Sequence, residues 1–537
     1  MPTSRFSPAG LRRPALVLLL GGALAASALT AATASSDAPT TARAAAAPTP
    51  GAPGVRDRLF PTLGNGGYDV GSYALTMTYP SKDPRATVTG TVVIKARATQ
   101  ALSRFNLDFA GRSVGSVSVD GRKAAWTWKG EELTVRPAKP LADGAAFTVT
   151  VAGFRTTPAT PRPGALLDAP FFATPDGTAL AAQPNGAHRY FPSNDHPQDK
   201  ATYTFTIRTP AGTRAVTNGV RTAVTTSGKV TTWRFAQRQP MASELLQVVV
   251  GNFTVTGRGT RGGVQVRDVT PKRLTRALLP RLAVELQQLD WMTAKVGKYP
   301  FDSYGSLVVD SPLGFALETQ TLSLYGASLL DRGVSNAVLY PVLTHELAHQ
   351  WFGDSVSPKV WSDLWLNEGH ATWYQETYAE EKGYLAKETG YATLEALMRE
   401  VYSLGDQWRA QWGPVARPAS SDVEELFSPN VYYGGALALY ALRQEIGAES
   451  FAELQRRWVT DKRGTSASTD DFVALASEVA GRDLRTFLVA WLYGTRTPPM
   501  PGHPDWTVAA TSTSAVAQAA PRTSAFTRLS EQAHRHD

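Results

Sequence analysis

Residues 344–351 read Thr-His-Glu-Leu-Ala-His-Gln-Trp, and this stretch decides how the second half of the chain is interpreted. In an α-helix, side chains four residues apart lie on one face, so His345 and His349 can direct their imidazoles to one point. Two such histidines supply half of a tetrahedral zinc site, and a third protein ligand leaves one position open. Glu346 projects roughly 100° around the helix from His345. The stretch therefore predicts a zinc-binding helix with a general base beside the metal.

A second stretch, residues 365–371, reads Trp-Leu-Asn-Glu-Gly-His-Ala and supplies the third ligand. Eighteen residues separate Glu368 from His349, in an aromatic segment that suits a helix packed antiparallel to the first. The simpler alternative is a helix that carries two histidines by chance. The chain has only 8 histidines in 537 residues, so the paired motifs favour the metal site, with one Zn²⁺ per chain. We expect zinc and not cobalt or manganese, because of the types of ligand in the predicted site.

Together these motifs resemble the M1 family of zinc metallopeptidases, the gluzincin aminopeptidases. Residues 183–200 (Gln-Pro-Asn-Gly-Ala-His-Arg-Tyr-Phe-Pro-Ser-Asn-Asp-His-Pro-Gln-Asp-Lys) and 299–302 (Tyr-Pro-Phe-Asp) also resemble family segments. The likeness runs from about residue 60 to about residue 500. It implies an antiparallel, saddle-like N-terminal β domain and a thermolysin-like zinc catalytic domain, in a compact form without the large C-terminal helical domain of bigger members.

The sequence between the chain start and the zinc motif has the pattern of a β domain, which we assign to residues 59–255. Short runs alternate polar and apolar side chains, and Gly, Asp and Pro separate them at roughly ten-residue intervals. The clearest runs are residues 73–79, 87–94, 146–151, 201–207 and 231–235. The alternation predicts antiparallel sheets with one buried face.

From residue 256 to residue 500 the pattern changes to that of a mostly helical α+β domain. Residues 274–296 have the three-to-four spacing of an amphipathic helix, and residues 305–310 read as a short strand. Helices are expected to dominate from Ala337 to about Tyr493. This mixture fits the thermolysin-like catalytic domain, and the chain as a whole is predicted to be multidomain, β followed by α+β.

The ends of the chain predict export. Residues 1–34 combine arginines, an apolar run and Ala-Thr-Ala, as in a cleaved signal peptide; a membrane anchor is the alternative. Residues 35–58 and 501–537 read as a disordered linker and tail rich in Ala, Thr, Pro and Ser. The chain has no cysteine, hence no disulfide or lipidation site. We expect a secreted protein with no stable membrane span after cleavage.

The charge of the chain does not indicate nucleic acid as a partner. The net charge of +8 includes the arginines of residues 1–34, and no basic block is interleaved with aromatic residues. The expected partners are instead peptides, and the sequence leaves the oligomeric state open.

The resemblance also assigns substrate-binding residues. Residues 314–319 (Gly-Phe-Ala-Leu-Glu-Thr) stand where the family has Gly-x-Met-Glu-Asn, so Glu318 is expected to bind the substrate's free α-amino group. The backbone at Ala316 is expected to pair with the peptide, and Gln183 to line the first subsite. Many relatives have a second amine-binding carboxylate where this chain has Asn185. The Asn185 amide keeps a hydrogen bond but loses a charge, so weaker amine binding and a less strict preference for amino termini are expected. The sequence leaves open whether Thr319 and Gly434 relax this preference.

Residues 430–436 (Asn-Val-Tyr-Tyr-Gly-Gly-Ala) resemble the family's Tyr-Glu-Lys-Gly-Ala segment, whose tyrosine stabilises the oxyanion. Aligning the Gly-Ala pair places the catalytic phenol at Tyr432, with Tyr433 as the rival by one position. Gly434 stands where the family has a lysine. Gln375 stands where many relatives have a carboxylate, so the surroundings of a zinc ligand are expected to differ. His370 is expected to be a pocket or packing residue.

The sequence thus predicts an exported zinc-dependent metalloaminopeptidase that hydrolyses N-terminal residues from peptides with a free amino terminus. The zinc ligands are His345, His349 and Glu368, and the catalytic residues are Glu346 and Tyr432. Two alternatives stay open. One is a zinc endopeptidase or oligopeptidase with relaxed N-terminal recognition, and the other is a non-catalytic zinc-binding surface protein.

Overall fold

The computed structural model describes residues 47–160, 169–311 and 315–509. The predicted signal peptide (1–34), the first part of the predicted linker and the tail beyond residue 509 lie outside the described residues. Within the described ranges, none of the helices is both long enough and apolar enough to cross a bilayer.

The first half of the chain is built from β-strands, as the alternating pattern predicts. In chain order they are β1 (Thr49–Pro50), β2 (Tyr68–Thr78), β3 (Val88–Ala98), β4 (Leu102–Asp108), β5 (Ser116–Val119), β6 (Arg122–Lys123), β7 (Ala125–Lys129), β8 (Glu132–Arg136), β9 (Ala146–Thr156), β10 (Phe171–Thr174), β11 (Gly177–Leu180), β12 (Ala201–Pro210), β13 (Arg214–Thr217), β14 (Val220–Ser227), β15 (Val230–Met241) and β16 (Val248–Gly251).

These strands form three sheets over one apolar core. The largest has eight strands in the order β14-β15-β12-β2-β3-β9-β5-β6, and the two smaller sheets run β1-β4-β8-β7 and β10-β11-β16-β13. The five alternating runs all map to the largest sheet, where β3, for example, alternates buried and more exposed side chains. Pairing is antiparallel except in β1–β4 and β2–β12. Those partners are far apart in sequence, and a parallel pair needs a crossover connection.

The second half combines one larger sheet and one two-stranded sheet with helices. Its strands are β17 (Phe253–Arg261), β18 (Val264–Pro271), β19 (Ser303–Tyr304), β20 (Ser306–Val309), β21 (Ala316–Leu317), β22 (Ser323–Gly326), β23 (Ser357–Pro358) and β24 (Ser466–Ala467). Its helices are α1 (Thr275–Leu278), α2 (Glu285–Val296), α3 (Asn336–His349), α4 (Trp365–Glu381), α5 (Leu385–Thr389), α6 (Leu394–Trp412), α7 (Val423–Leu426), α8 (Pro429–Ile446), α9 (Ala448–Asp461), α10 (Thr469–Ala480) and α11 (Arg485–Tyr493). The architecture is therefore the predicted β domain followed by a mostly helical catalytic domain.

Strand order in the larger sheet of the second half is β17-β18-β20-β22-β21, with β19 also paired to β18, so β21 lies at the edge. β23 and β24 pair with each other in the two-stranded sheet. The predicted domain boundary after residue 255 falls inside β17, and the change of sheet occurs between Gly251 and Phe253. The predicted helix over residues 274–296 is wrong in its first half. A short 3₁₀ segment, Leu279–Leu282, separates α1 from α2. It contains Pro280, which lacks the N–H that a continuous helix requires.

Parts of the predicted linker and tail differ from the disorder expected there. Thr49 and Pro50 pair with β4, and the buried Asp57 accepts hydrogen bonds from the backbone N–H groups of Leu59 (2.7 Å) and Trp361 (2.6 Å). At the other end, Trp506 is buried against the helical core. A few anchoring side chains suffice to order these segments although their overall composition is poor in apolar residues.

Candidate metal centre and active site

The two predicted ligand-bearing segments form helices α3 and α4, which pack against each other. Four-residue spacing on α3 places His345 and His349 on one face, and Glu368 projects from the first turn of α4. The two histidine Nε2 atoms lie 3.0 Å apart, and each lies 3.3 Å from Glu368 Oε2. All three side chains are buried. The tertiary structure thus brings the three predicted ligands to one point.

The donor set fits a zinc ion. Zinc bonds of roughly 2.0–2.1 Å in tetrahedral geometry separate neighbouring donor atoms by about 3.3 Å, close to the distances found here. Burial alone would raise the pKa of Glu368, but the two histidines hold that pKa at about 2, so the carboxylate is ionised. Burial opposes protonation of His349, yet Glu318 and Glu368 raise its pKa, so the site favours a positive charge. Two imidazoles and one carboxylate are borderline ligands that suit zinc.

Glu346 lies next to this cluster and is not a member of it. Its carboxylate is buried and lines a small cavity together with His345 and Tyr432. Within the described residues, its Oε2 atom makes no hydrogen bond. Burial raises the pKa of Glu346, with the charges of Glu318 and Glu368 adding to the effect. A carboxylate with a raised pKa that lines a small cavity next to the ligand cluster is suited to accept a proton from a water molecule.

The two candidate tyrosines on α8 point to different partners. The ring of Tyr432 stacks on the imidazole of His345, with centroids 5.8 Å apart and ring planes 10° from parallel. The Tyr433 hydroxyl instead donates a hydrogen bond of 2.9 Å to Glu376, which is not a member of the ligand cluster. Tyr432 is therefore the phenol that lies beside the metal site.

Two glycines allow α8 to approach α4 closely enough to bring Tyr432 to the site. A Cβ atom built on Gly435 would lie 2.9 Å from the Cα of Gly369, and one built on Gly369 would lie 2.9 Å from the Cα of Gly435. Real Cβ atoms do not approach backbone so closely. The Gly-Gly contact thus sets the distance between the helix that carries Glu368 and the helix that carries Tyr432.

Replacing Gly435 by Ala is expected to lower the free energy of unfolding by about 1–3 kcal/mol, because the added methyl group overpacks a backbone contact. It should also lower kcat more than it raises KM, because Tyr432 lies one turn earlier on the displaced helix. Chemical denaturation and steady-state kinetics check this. Gly257→Ala is the control, since a Cβ there meets nothing within 4 Å. Equal effects of both substitutions would contradict the expectation.

Glu318 follows the edge strand β21 and is buried beside the ligand cluster. Its carboxylate accepts a hydrogen bond of 2.6 Å from Gln183 Nε2, so the β domain contributes directly to the site. Its backbone carbonyl accepts one of 3.0 Å from Gln350 Nε2. Burial raises the pKa of Glu318, and the charge on His349 opposes this. Without an added cation this carboxylate is held in an environment that disfavours its charge.

Gln350 is a structural member of the site that the sequence interpretation missed. Its Oε1 atom accepts hydrogen bonds from the backbone N–H of Thr321 (2.8 Å) and the hydroxyl of Tyr299 (3.0 Å). Gln350 therefore connects the end of the zinc helix to the strand segment that carries Glu318. Its place directly after His349 was the only sequence signal available.

The remaining predicted residues lie at the edges of this arrangement. Ala316 is buried in β21, whose pairing with β22 leaves β21 at the sheet edge. Asn185 is half-buried in the loop after β11, near Gln183 in sequence. Lys200, from the same family-like segment, donates to the backbone carbonyls of Asp354 (2.6 Å) and Ser355 (3.0 Å), just beyond α3.

His370 is a packing residue, as its sequence context suggested. Its ring stacks on Phe352 with centroids 4.5 Å apart, and its Nδ1–H donates to the carbonyl oxygen of Leu366 at 2.7 Å. Burial lowers the pKa of His370 to about 3. The imidazole is therefore neutral, and it is not among the side chains that converge at the ligand cluster of His345, His349 and Glu368.

Replacing His370 by Phe is expected to make the fold less sensitive to acid. The unfolded chain protonates this imidazole near pH 6.5, whereas the folded chain does so only near pH 3. Acid therefore favours unfolding, and this group costs stability as pH falls below 6.5. Between pH 6.5 and 4.5, wild type should lose about 2 kcal/mol more than His370→Phe. Denaturation of both zinc-free proteins across this range measures the difference, and parallel curves would contradict the assignment.

Comparison with known proteins agrees with this geometry. The "Peptidase family M1 domain" matches residues 282–491 and the "Peptidase M1 N-terminal domain" matches residues 71–245. The structure is similar to the crystal structure of an M1 zinc metallopeptidase from Deinococcus radiodurans, with 28% identity and a TM-score of 0.70 over 83% of this chain and 99% of that chain.

The chain belongs to the M1 family of zinc metallopeptidases. Zinc is accordingly its expected cofactor, and the cluster of His345, His349 and Glu368 is consistent with it. A mutant of the Deinococcus enzyme bound to a Tyr-Ser-Ala substrate matches at 29% identity and a TM-score of 0.71, over 84% of this chain and all of that chain (100%). The solved neighbours include a two-domain M1 zinc metallopeptidase, the compact form that the sequence predicted.

Curated relatives of this M1 protein are longer. Aminopeptidase M1-A of Oryza sativa subsp. japonica is 28% identical over 326 residues, and aminopeptidase N of Streptomyces lividans is 27% identical over 324 residues. These alignments cover 58% and 57% of this chain but only 36% of each relative. The chain thus matches about a third of the length of these aminopeptidases.

Proposed function

We propose that this M1 protein is a zinc-dependent aminopeptidase that removes residues from the amino terminus of peptides. The observation that carries the proposal is the buried carboxylate of Glu318, held by Gln183 beside the three-ligand cluster. A buried carboxylate next to the reacting centre favours binding of a positively charged substrate group, such as a terminal ammonium group.

In this mechanism His345, His349 and Glu368 hold the zinc ion, which acts as a Lewis acid and lowers the pKa of water when bound. Glu346 accepts the proton of the attacking water and passes it to the leaving amine. Its raised pKa suits both steps, because Glu346 acts first as a base toward the water and then as an acid toward the leaving amine. The Tyr432 hydroxyl donates to the oxyanion that develops on the scissile carbonyl.

The substrate is bound in an orientation set by the β21 edge. Glu318 pairs with the terminal ammonium group, Gln183 lines the first subsite, and the outer edge of β21 at Ala316 pairs with the peptide backbone. Asn185 contributes an amide where a second carboxylate would add charge, so recognition of the ammonium group rests mainly on Glu318.

The proposed function is tested with a leucyl peptide that has a free amino terminus and its N-acetylated twin, each given to zinc-loaded and chelator-treated protein. Cleavage of only the free peptide, lost with zinc and restored by adding it back, is the expected result. Equal cleavage of both peptides would contradict the aminopeptidase proposal and indicate a zinc endopeptidase. Tight binding of one zinc without cleavage of either peptide would favour a non-catalytic zinc-binding protein.

We also propose that the protein is exported. The proposal is supported by the sequence of residues 1–34, with its arginines followed by an apolar run and Ala-Thr-Ala. Amino-terminal sequencing of the protein recovered from culture medium tests it. A start near residue 35 supports export with cleavage, and recovery only from cells with the arginines intact would contradict it.

A further inference from the structure

A tight turn follows Glu318 and carries a residue that is unusual for its position. The Leu322 N–H donates to the Thr319 carbonyl oxygen at 2.9 Å, which closes a four-residue turn. In a type II turn the third residue has positive φ, so Gly or Asn is favoured there. The third residue of this turn is Thr321, with φ of 69°. A β-branched side chain is strained in this conformation, so other contacts must hold Thr321 in it.

Two hydrogen bonds hold Thr321, one to each domain. Its backbone N–H donates to Oε1 of Gln350 at 2.8 Å, and its hydroxyl oxygen accepts from the backbone N–H of Gly219 at 2.8 Å. All three residues are buried. A glycine at position 321 would adopt positive φ without strain, but it would leave the buried Gly219 N–H without this acceptor. The hydroxyl group is therefore what Thr321 adds to the turn.

The β domain also holds this turn through Asn218, which lies between β13 and β14 and is fully buried. Its Nδ2 donates to the backbone carbonyl oxygens of Gln320 at 2.7 Å and Leu245 at 2.9 Å. Its Oδ1 accepts from the backbone N–H of Gln247 at 2.6 Å. Three backbone partners thus determine the orientation of the Asn218 amide. The β domain therefore holds two consecutive residues of the turn.

Gln350 links the turn to Glu318. Its Nε2 donates to the Glu318 carbonyl oxygen at 3.0 Å while its Oε1 accepts from the Thr321 N–H, so one side chain joins both ends of segment 318–321. The Glu318 carboxylate is held separately by Gln183. Gln183 therefore restrains the carboxylate, and the turn restrains the backbone from which the carboxylate projects.

We propose that Thr321 and Asn218 are positioning residues for Glu318, and that the β domain thereby sets how strongly the enzyme binds the amino terminus of its substrate. The inference rests on the proposed role of Glu318 in binding the terminal ammonium group. A displaced carboxylate pairs less well with that group both in the bound substrate and in the transition state. Loss of such uniform binding raises KM and leaves kcat nearly unchanged.

The test measures kcat and KM for the free leucyl peptide with zinc-loaded protein. Thr321→Val keeps the size and the branch but removes the acceptor, and its KM should rise about 10- to 100-fold with kcat within about threefold of wild type. Thr321→Ser keeps the hydroxyl, so both constants should stay within about threefold of wild type. Asn218→Asp places a carboxylate oxygen against the Gln320 carbonyl oxygen, so its KM should also rise about tenfold or more.

Thr209→Val is the matched control in the β domain. Thr209 is buried on β12, and its hydroxyl oxygen accepts from Trp233 Nε1 at 3.2 Å, just as the Thr321 hydroxyl accepts from an N–H group. The substitution should lower stability without changing KM. Partial unfolding of a preparation lowers its apparent kcat and leaves KM unchanged, so KM separates positioning from a folding defect. Circular dichroism and zinc content verify that each variant is folded and loaded.

The Glu318→Gln background tests whether Thr321 acts through Glu318. With the carboxylate absent, adding Thr321→Val should change KM by less than about twofold, because the group that Thr321 positions has been removed. A further rise as large as the one in the wild-type background would mean that Thr321 acts by another route, and it would overturn the inference.

The outcomes separate this inference from the proposed function. Unchanged KM in Thr321→Val, or equal rises in Thr321→Val and Thr321→Ser, would overturn the role of the hydroxyl. Unchanged KM in Asn218→Asp would overturn the role of Asn218. Unchanged KM in Glu318→Gln, or equal cleavage of the free and acetylated peptides by wild type, would instead overturn the proposed function, and this inference with it.

Discussion

Glu346→Gln is expected to lower kcat/KM for a free leucyl peptide by about 10²–10⁴-fold while one zinc ion per chain stays bound. The substitution preserves size and burial but removes the group that takes a proton from water. The ligand cluster does not include Glu346, so metal binding should survive. Hydrolysis rates and metal content, measured on the same preparation, check the expectation.

A buried glutamate elsewhere provides the control for this experiment. Glu285 is buried on α2, and its carboxyl oxygen accepts a hydrogen bond from the Ser306 hydroxyl, which the amide oxygen of a glutamine can accept equally. Glu285→Gln should therefore retain near wild-type hydrolysis. Loss of zinc from Glu346→Gln, or full activity with zinc bound, would contradict the role of Glu346 as the base.

Glu318→Gln is expected to remove most of the preference for a free amino terminus. Losing one partner of a buried charge pair costs about 2–5 kcal/mol, so kcat/KM for the free peptide should fall roughly 30- to 5,000-fold. The amide has the same shape and stays within reach of Gln183, so the fold should be intact. Zinc content should also be unchanged, because Glu318 does not belong to the ligand cluster.

The acetylated peptide serves as an internal control for Glu318→Gln. It has no ammonium group, so any slow cleavage of it should be unaffected or slightly faster in the variant. The ratio of the two rates isolates recognition of the amino terminus from the chemical step. A proportional loss on both peptides would mean that Glu318 supports the site as a whole and does not select the amino terminus.

Much of this protein could be predicted because local periodicity carries the information. Alternation in residues 87–94 indicated a strand with one buried face, and β3 has that pattern. The four-residue spacing of His345 and His349 fixes them on one helix face whatever surrounds the helix. The prediction was wrong where a single residue breaks a helix whose hydrophobic spacing continues. Pro280 does this by interrupting the helix predicted over residues 274–296.

Other features depend on contacts between segments far apart in the chain. From the sequence, the choice of Tyr432 over Tyr433 depended on the register of an alignment, which could shift by one position. In the structure the two tyrosines differ in their partners: Tyr432 stacks on His345, and Tyr433 donates to Glu376. Gln183 and Glu318 lie 135 residues apart and meet only because the β domain packs against the catalytic sheet. Gln350 could not be assigned from the sequence, because the role of an amide depends on which of its two ends faces which neighbour.

The sequence by itself predicted the cluster of His345, His349 and Glu368, the candidate base Glu346 and the order of the two domains, because spacing on one helix and alternation along one strand are local properties. Only the tertiary structure decided which phenol lies beside the ligand cluster and what holds Glu318 in place. The approach of α8 to α4 depends on two glycines, Gly369 and Gly435, that are 66 positions apart in the chain. Hydrogen-bond direction in a buried cluster depends on every group around it, and no local pattern in the sequence encodes that.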